Sequence, residues 1–379
     1  MKLSRGADEK TAWGHCAAHV LRIGWPGAMA ACLLLTVAAC SAAAPGSAQA
    51  SRGASPAGGS GLPSPAPAET SPAAAVAANP GCRGAETIPV ATAAELRRAL
   101  ADARPGQTIV LRPGIYQGNF TATTSGTPGA PISLCGSRSA VLDGGDVRHG
   151  YVVHLDRASW WRLSGFTVQN GQKGVVADGV THDLITGLLV HSIGDEGIHL
   201  REFSSDNVVS HCVVRQTGLR KAFFGEGIYV GSAHHNWCKY TGCRPDTSDR
   251  NVIAYNDIAD TTAENIDIKE GTTGGTIVGN HLDGTGMATS AATAWVNVKG
   301  NHWTITGNFG TSSEGDGFQV HQVYPGWGLG NVFSHNHAAV HGPGYGIYVQ
   351  NRRLGTVVSC SNVVTSAVAG FSNVACVAG

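Results

Sequence analysis

Six short segments of the chain place reactive side chains at matching positions. They read Gly197-Ile198-His199-Leu200-Arg201, Gly227-Ile228-Tyr229-Val230-Gly231, Asn265-Ile266-Asp267-Ile268-Lys269, Trp295-Val296-Asn297-Val298-Lys299, Gly317-Phe318-Gln319-Val320-His321 and Gly346-Ile347-Tyr348-Val349-Gln350. With a side-chain period of two, the aliphatic residues point to one face and the others to the opposite face. One outward column is then His199, Tyr229, Asp267, Asn297, Gln319 and Tyr348, and the next is Arg201, Gly231, Lys269, Lys299, His321 and Gln350. An acidic residue, Glu196, Glu226, Glu264 or Asp316, lies just before four of the six strands. Polarity alone is ordinary on an exposed sheet. Two Lys, two His and two Tyr gathered on one face are not, in a chain only 14% charged. Such a face suits an extended polymer of sugars. Asp267, Asn297, Gln319 and Arg201 would bind hydroxyls and charges, while Tyr229, Tyr348 and Trp295 would offer stacking surfaces. Trp295 has an alternative place, buried beneath the preceding loop. Trp327, in Pro325-Gly326-Trp327-Gly328, is placed on a loop rimming the same side.

What must position these columns is a repeat. An apolar residue, two spacers, a special residue, one spacer and a second apolar residue recur along the chain. The special positions are Phe166, Leu188, Cys212, Asn256, Asn280, Asn308 and Asn336, spaced 22, 24, 44, 24, 28 and 28 residues apart. The 44 is read as one coil plus an insertion carrying Cys238 and Cys243. Short β-branched phrases punctuated by glycine at this period predict a parallel β-solenoid rather than a helical repeat. Neighbouring rungs lie about 4.8 Å apart, so the four successive Asn form an inward ladder. Thr92 is the N-cap of a short helix running to Ala103, which plugs the open end, and Pro105 to Leu111 begins the first rung.

These stacked Asn resemble the ladders of right-handed parallel β-helices of the pectin-lyase type, an all-β fold, here with a short capping helix. The phrase Glu264-Asn265-Ile266-Asp267-Ile268-Lys269, followed one coil later by Trp295 to His302, resembles the catalytic coils of the chondroitinase B and alginate lyase family. The opening segment, Pro105 to Leu111 through Gly126 to Ile132, is similar to that family as well. The resemblance implies a polysaccharide lyase acting on a uronate-containing polymer. It makes Lys269 the base, Glu264 a calcium ligand and Lys299 the assisting basic residue, although the family carries Arg at that last position. Thr262 stands where its second acidic ligand is sought. Glu226, stacked on Glu264, is the other candidate for calcium, with neutralisation by Arg201 or Lys269 as the alternative. β-Elimination requires an unprotonated base beside a neutralised carboxylate. A lysine is protonated at neutral pH, so Lys299, one rung away, is expected to lower the Lys269 pKa, while Asp267 works against this. Tyr229, His199 and His321 are candidates to protonate the leaving oxygen, and Lys173 is taken as distant from the group. A uronan epimerase, a glycoside hydrolase and a non-catalytic surface carbohydrate binder remain open as alternatives.

Composition sets the setting. The 26 basic residues equal the 26 acidic ones, so no net field exists to hold nucleic acid. The 52 glycines lack a three-residue period, which excludes collagen. Residues 1–39 read as a lipoprotein-type secretion signal: Lys2, Arg5, Lys10 and Arg22 precede an apolar run, Ala28–Ala39, too short to span a bilayer. Cys40 after Val37-Ala38-Ala39 resembles the lipidated residue of a lipobox; cleavage near Ala48 or Ala50 is the alternative. Residues 40–81, rich in Ala, Pro, Ser and Gly, read as a disordered tether, and 82–379 as the folded domain. The expectation is an exported monomer, lipid-anchored at the cell surface or secreted, with an acidic polysaccharide as partner and the lipid as its only membrane contact. Export permits disulfides. Cys238 with Cys243, Cys360 with Cys376 and Cys82 with Cys135 are the natural pairs, leaving Cys212 over.

Overall fold

A computed structural model of the chain describes residues 86–378. The signal, Cys40, the tether and Cys82 therefore lie outside the described residues. Thirty-one short strands form three parallel sheets, sheet A of 11 strands and sheets B and C of 10 each. The chain visits them in the order A, B, C and then advances one rung, a right-handed parallel β-solenoid. One coil shows the plan: Trp161–Ser164 in A, Thr167–Gln169 in B and Lys173–Asp178 in C. The sequence repeat thus straddles the A–B corner. Ile185 pairs in register with Leu163 and Val209, and the 44-residue step pairs Val209 with Ile253.

Inward aliphatic residues from all three sheets fill the solenoid, among them Ile253, Ile258, Ile266 and Ile268, all fully buried. Each contributes about 1.5–3 kcal/mol of burial as an upper range. Polar corners are satisfied along the axis. The backbone N–H of Cys212 donates to Asn256 Oδ1 at 3.0 Å, and Asn256, Asn280 and Asn308 each donate by backbone N–H and by Nδ2 to the next Asn Oδ1 at 2.9–3.0 Å. The ladder runs one rung further than the repeat predicted, from Asn336 to Asn362.

A second ladder at the C–A corner was not foreseen. Trp161 N–H donates to Asp183 Oδ1 at 2.7 Å, Asp183 N–H to Asn207 Oδ1 at 2.9 Å and Asn207 N–H to Asn251 Oδ1 at 3.0 Å. Asn331 accepts from Trp303 N–H farther along. The rung between them holds Gly275, whose missing side chain leaves the space taken by the Trp303 ring.

The capping helix spans Ala93–Ala101, and Thr92 and Glu95 form a reciprocal capping box. Leu96, Ala99 and Leu100 are buried against the solenoid end. The first rung does not begin at Pro105: strand Glu86–Val90 precedes the helix and pairs with Gln107–Leu111. Its single Pro and lack of alternation hid it. Cys238–Cys243 and Cys360–Cys376 are disulfides, Cys135 is also disulfide-bonded, and Cys212 is a buried free thiol. Among the described residues no helix is long and apolar enough to cross a membrane.

Candidate active site

The two reactive columns lie on the outer face of sheet C. His199, Tyr229, Asp267, Asn297, Gln319 and Tyr348 pair rung by rung in that order. The face is nevertheless not an open one. Of these six only Tyr348 is more than slightly exposed, and Arg201, Lys269 and Lys299 are buried too. Loops following the strands cover it. The disulfide-stapled insertion is anchored by buried Asp246, which accepts the backbone N–H groups of Glu202 and Phe203 at 3.0 and 2.8 Å. Both donors sit at positive φ, 57° and 73°, a conformation that aims successive N–H groups at one carboxylate. From this insertion His234 binds Glu270 at 2.8 Å and packs on Tyr324, while Trp237 meets Tyr324 and Trp327. Trp327 thus rims the same side as the columns, as expected, and the loops wall a trough over sheet C.

At its centre Asp267 lies between two ammonium groups. Lys269 Nζ is 2.7 Å from Oδ2, and Lys299 Nζ makes a short contact with Oδ1. Lys299 is also 3.9 Å from Glu264 Oε1, which accepts from Asn297 Nδ2 at 3.0 Å. Burial works against the charge of Lys269, but Asp267, with Tyr229, Glu270 and Glu226 behind it, outweighs burial and holds this lysine well above its ordinary range. Burial lowers Lys299, and Lys269 adds to that against the pull of Asp267. Glu264 is raised, first by burial and then by Asp267. The expected lowering of Lys269 by its neighbour is therefore reversed: the carboxylate shared by the two lysines keeps Lys269 charged. Lys269 Nζ also lies 4.9 Å from the Tyr229 ring centroid, on the adjacent rung.

The other nominated residues sort by what they touch. His321 Nδ1 bonds Asn297 Oδ1 at 2.9 Å; since that oxygen only accepts, Nδ1 carries the proton. Burial and Lys299 lower its pKa to about 4. His199 uses both ring nitrogens inside the protein, Nε2 on the Gly231 carbonyl at 3.0 Å and Nδ1 toward Lys173 Nζ at 3.4 Å, so it does not meet a leaving oxygen. Arg201 is held by Asp178 at 2.6 Å and stacked under Tyr240 at 4.3 Å, which takes it away from substrate. Gln319 bonds Asp316 and Thr293, and Tyr348 lies against Tyr345.

Trp295 is a correction to the stacking expectation. Its ring is fully buried, donates from Nε1 to Thr311 O at 2.9 Å and fills the space above Gly310 and Gly317. A side chain at Gly310 would come within 2.3 Å of the indole. Lys173 is a second correction. It is not distant but buried in the same trough, 2.8 Å from Glu196. Glu196 was among the acidic residues expected just before the outward strands, but its partner Lys173 and the Arg201 partner Asp178 were not placed with it, because they lie on a coil whose central phrase, Gly174-Val175-Val176-Ala177, shows no polar column.

Glu226, Glu264 and Asp267 bring carboxylate oxygens within 4.8 Å of one another, and the first two are the residues on which calcium was expected. The donors do not fit that ion well. Both Asp267 oxygens face lysine ammoniums and Glu264 Oε1 already accepts from Asn297, so the counter-charge is supplied by the chain itself. A chelator is expected to leave melting temperature and turnover unchanged.

Residues 151–322 match the family described as right-handed β-helix region. No curated protein sequence matches the chain. Among solved structures, an alginate lyase from Paenibacillus sp. str. FPU-7 is similar at 35% identity with a TM-score of 0.69, over 76% of this chain and 98% of that one. Pectate lyase Pel9A is similar at 15% identity with a TM-score of 0.55, over 77% and 81% of the two chains. That second likeness is one of fold.

Proposed function

The chain belongs to the parallel β-helix family of the Paenibacillus alginate lyase, and from that premise we propose that the sheet C trough cleaves a uronate-containing polysaccharide by β-elimination. The observation that carries the reading is the adjacent-rung pair of Tyr229 and Lys269, 4.9 Å from ring centroid to ammonium. Elimination takes the proton next to the uronate carboxylate and expels the oxygen on the neighbouring ring carbon. The two proton-handling groups must therefore stand about one sugar substituent apart. His321 lies two rungs from Lys269 on the side away from Tyr229, about 10 Å at the usual strand spacing, too far to serve one ring together with that base.

In this reading Lys269 removes the proton, Tyr229 protonates the leaving oxygen and Lys299 faces the substrate carboxylate, stabilising the charge that develops. Lys269 must first lose its own proton, which Asp267 opposes, so turnover rises toward alkaline pH. Asp267 and Asn297 hold the two lysines and His321 in place. A glycoside hydrolase needs two carboxyl groups flanking the bond, one of them available as an acid. Here Asp267 is neutralised by lysines and Glu264 is bonded to Asn297, which disfavours that alternative.

The test is Lys269→Ala beside Arg148→Ala, an exposed control, with alginate as substrate. We expect Lys269→Ala to fold normally and lose about 10²–10⁴-fold in turnover, the usual contribution of a positioned base. Wild-type turnover in the folded variant would remove Lys269 from the mechanism.

A further inference from the structure

Lys173, two coils before Tyr229, forms a buried polar unit with Glu196 and His199, one coil before it, and none of the three has a role in the elimination proposed for Lys269 and Tyr229. All three are less than 5% exposed. Lys173 Nζ is 2.8 Å from Glu196 Oε2 and 3.4 Å from His199 Nδ1. His199 Nε2 lies 3.0 Å from the Gly231 carbonyl, which only accepts, so the imidazole is fixed as the Nε2–H tautomer with Nδ1 turned to the lysine. Its ring meets the Tyr229 ring edge-on, 4.3 Å between centroids and 72° between planes. Lys269 lies by the same ring. Gly231 in turn directly follows the strand that carries Tyr229, Ile228–Val230, at φ +84°.

We propose that Lys173, Glu196 and His199 are positioning residues that hold the Tyr229 ring and its strand end in the reactive orientation. The proposal rests on Tyr229 acting as the proton donor. A buried ion pair is a poor source of stability, since an apolar pair of similar volume often does as well or better. What the pair supplies here is direction: it fixes which way the imidazole faces, and the imidazole fixes both the phenol ring and the Gly231 carbonyl. Misplacement of a reacting group by about 1 Å costs on the order of 10²-fold.

The unit also sets a pH dependence. The groups facing His199 are Lys173, Arg201 and Lys269, which disfavour its protonation together with burial, and Glu196, 3.8 Å from Nδ1, which favours it; Tyr229 covers its other side as a neutral ring. Removing the Lys173 charge alone leaves Glu196 as the nearest ion, so His199 takes up a proton at higher pH than in the wild type. On the acid side of the limb set by Lys269, the further fall in kcat that His199 protonation causes should then begin at higher pH.

The test compares wild type, Lys173→Met, Lys173→Met/Glu196→Gln, Lys173→Arg and Tyr229→Phe, with alginate as substrate and thermal denaturation beside each. We expect Tyr229→Phe to be inactive. The double variant should keep its melting temperature and KM while kcat falls about 10- to 100-fold. The further acid-side fall in kcat should begin at higher pH in Lys173→Met, and Lys173→Arg should recover most of kcat. An inactive Tyr229→Phe beside a double variant with wild-type kcat would overturn the positioning proposal alone. Wild-type turnover in Tyr229→Phe would overturn the catalytic reading and the proposal with it. If the double variant fails to fold, His199→Gln takes its place, since it keeps a donor for Gly231 but lacks the ring; unchanged kcat there would equally overturn the proposal.

Discussion

Asp267 decides the charge state of the site. It was legible as an obstacle in the sequence, because a carboxylate two residues before Lys269 on the same face must raise that lysine. Its weight was not legible, since only the folded chain brings Lys299 onto its other oxygen and buries all three. The consequence can be measured. A base works only when unprotonated, and Lys269 is held well above the ordinary lysine range chiefly by Asp267, against burial. Wild-type kcat/KM should therefore keep rising with pH into the alkaline range. Asp267→Asn removes the largest upward pull and leaves burial and the Lys299 charge, both of which lower the pKa. The rising limb should move to lower pH in that variant. An unmoved limb would mean that Lys269 is not the group being titrated. A limb that now falls where the wild type rises would mean that Lys269 works as a cation.

The elements carry their own lesson in the two corner ladders. The A–B ladder was readable because Asn256, Asn280, Asn308 and Asn336 repeat one residue type. The C–A ladder was hidden because its rungs change type, from Asp183 to Asn207 and Asn251, then to Gly275 under Trp303. Asp183 is informative here. Where Asn251 and Asn331 donate Nδ2 to backbone carbonyls at 2.8 and 3.0 Å, Asp183 has an oxygen, and that Oδ2 is buried without a hydrogen bond. Burial raises its pKa well above the ordinary value. A group whose folded pKa is raised favours the fold at pH below its unfolded pKa and loses that contribution as pH rises through the folded value. Asp183→Asn, which supplies the missing donor, is expected to stabilise the protein at neutral pH by about 1–3 kcal/mol. Urea unfolding should show the gain shrinking toward acid pH, as the wild-type carboxyl becomes protonated in both states. Equal or lower stability at neutral pH would contradict the account of this corner.

At the scale of the whole molecule, the solenoid turns sequence period into spatial order, which is why the fold and both outward columns could be read before the structure. What the period could not supply was the covering of sheet C. The insertion after Gly231 and the loop around Trp327 interrupt the repeat, and they convert an expected open face into a trough in which Arg201 and His199 are spoken for and Lys269 is partly reachable. The same limit explains Trp295, which turns inward because Gly310 on sheet B leaves room for it. The central claim is that this trough eliminates across a uronate linkage, and one measurement addresses it most directly. The purified chain is incubated with alginate, and both ultraviolet absorbance and polymer length are followed. A rise in absorbance from unsaturated ends, in step with shortening, is the predicted result. Binding without shortening, shortening without absorbance, or an altered polymer of unchanged length would each contradict a lyase, pointing in turn to a binder, a hydrolase and an epimerase.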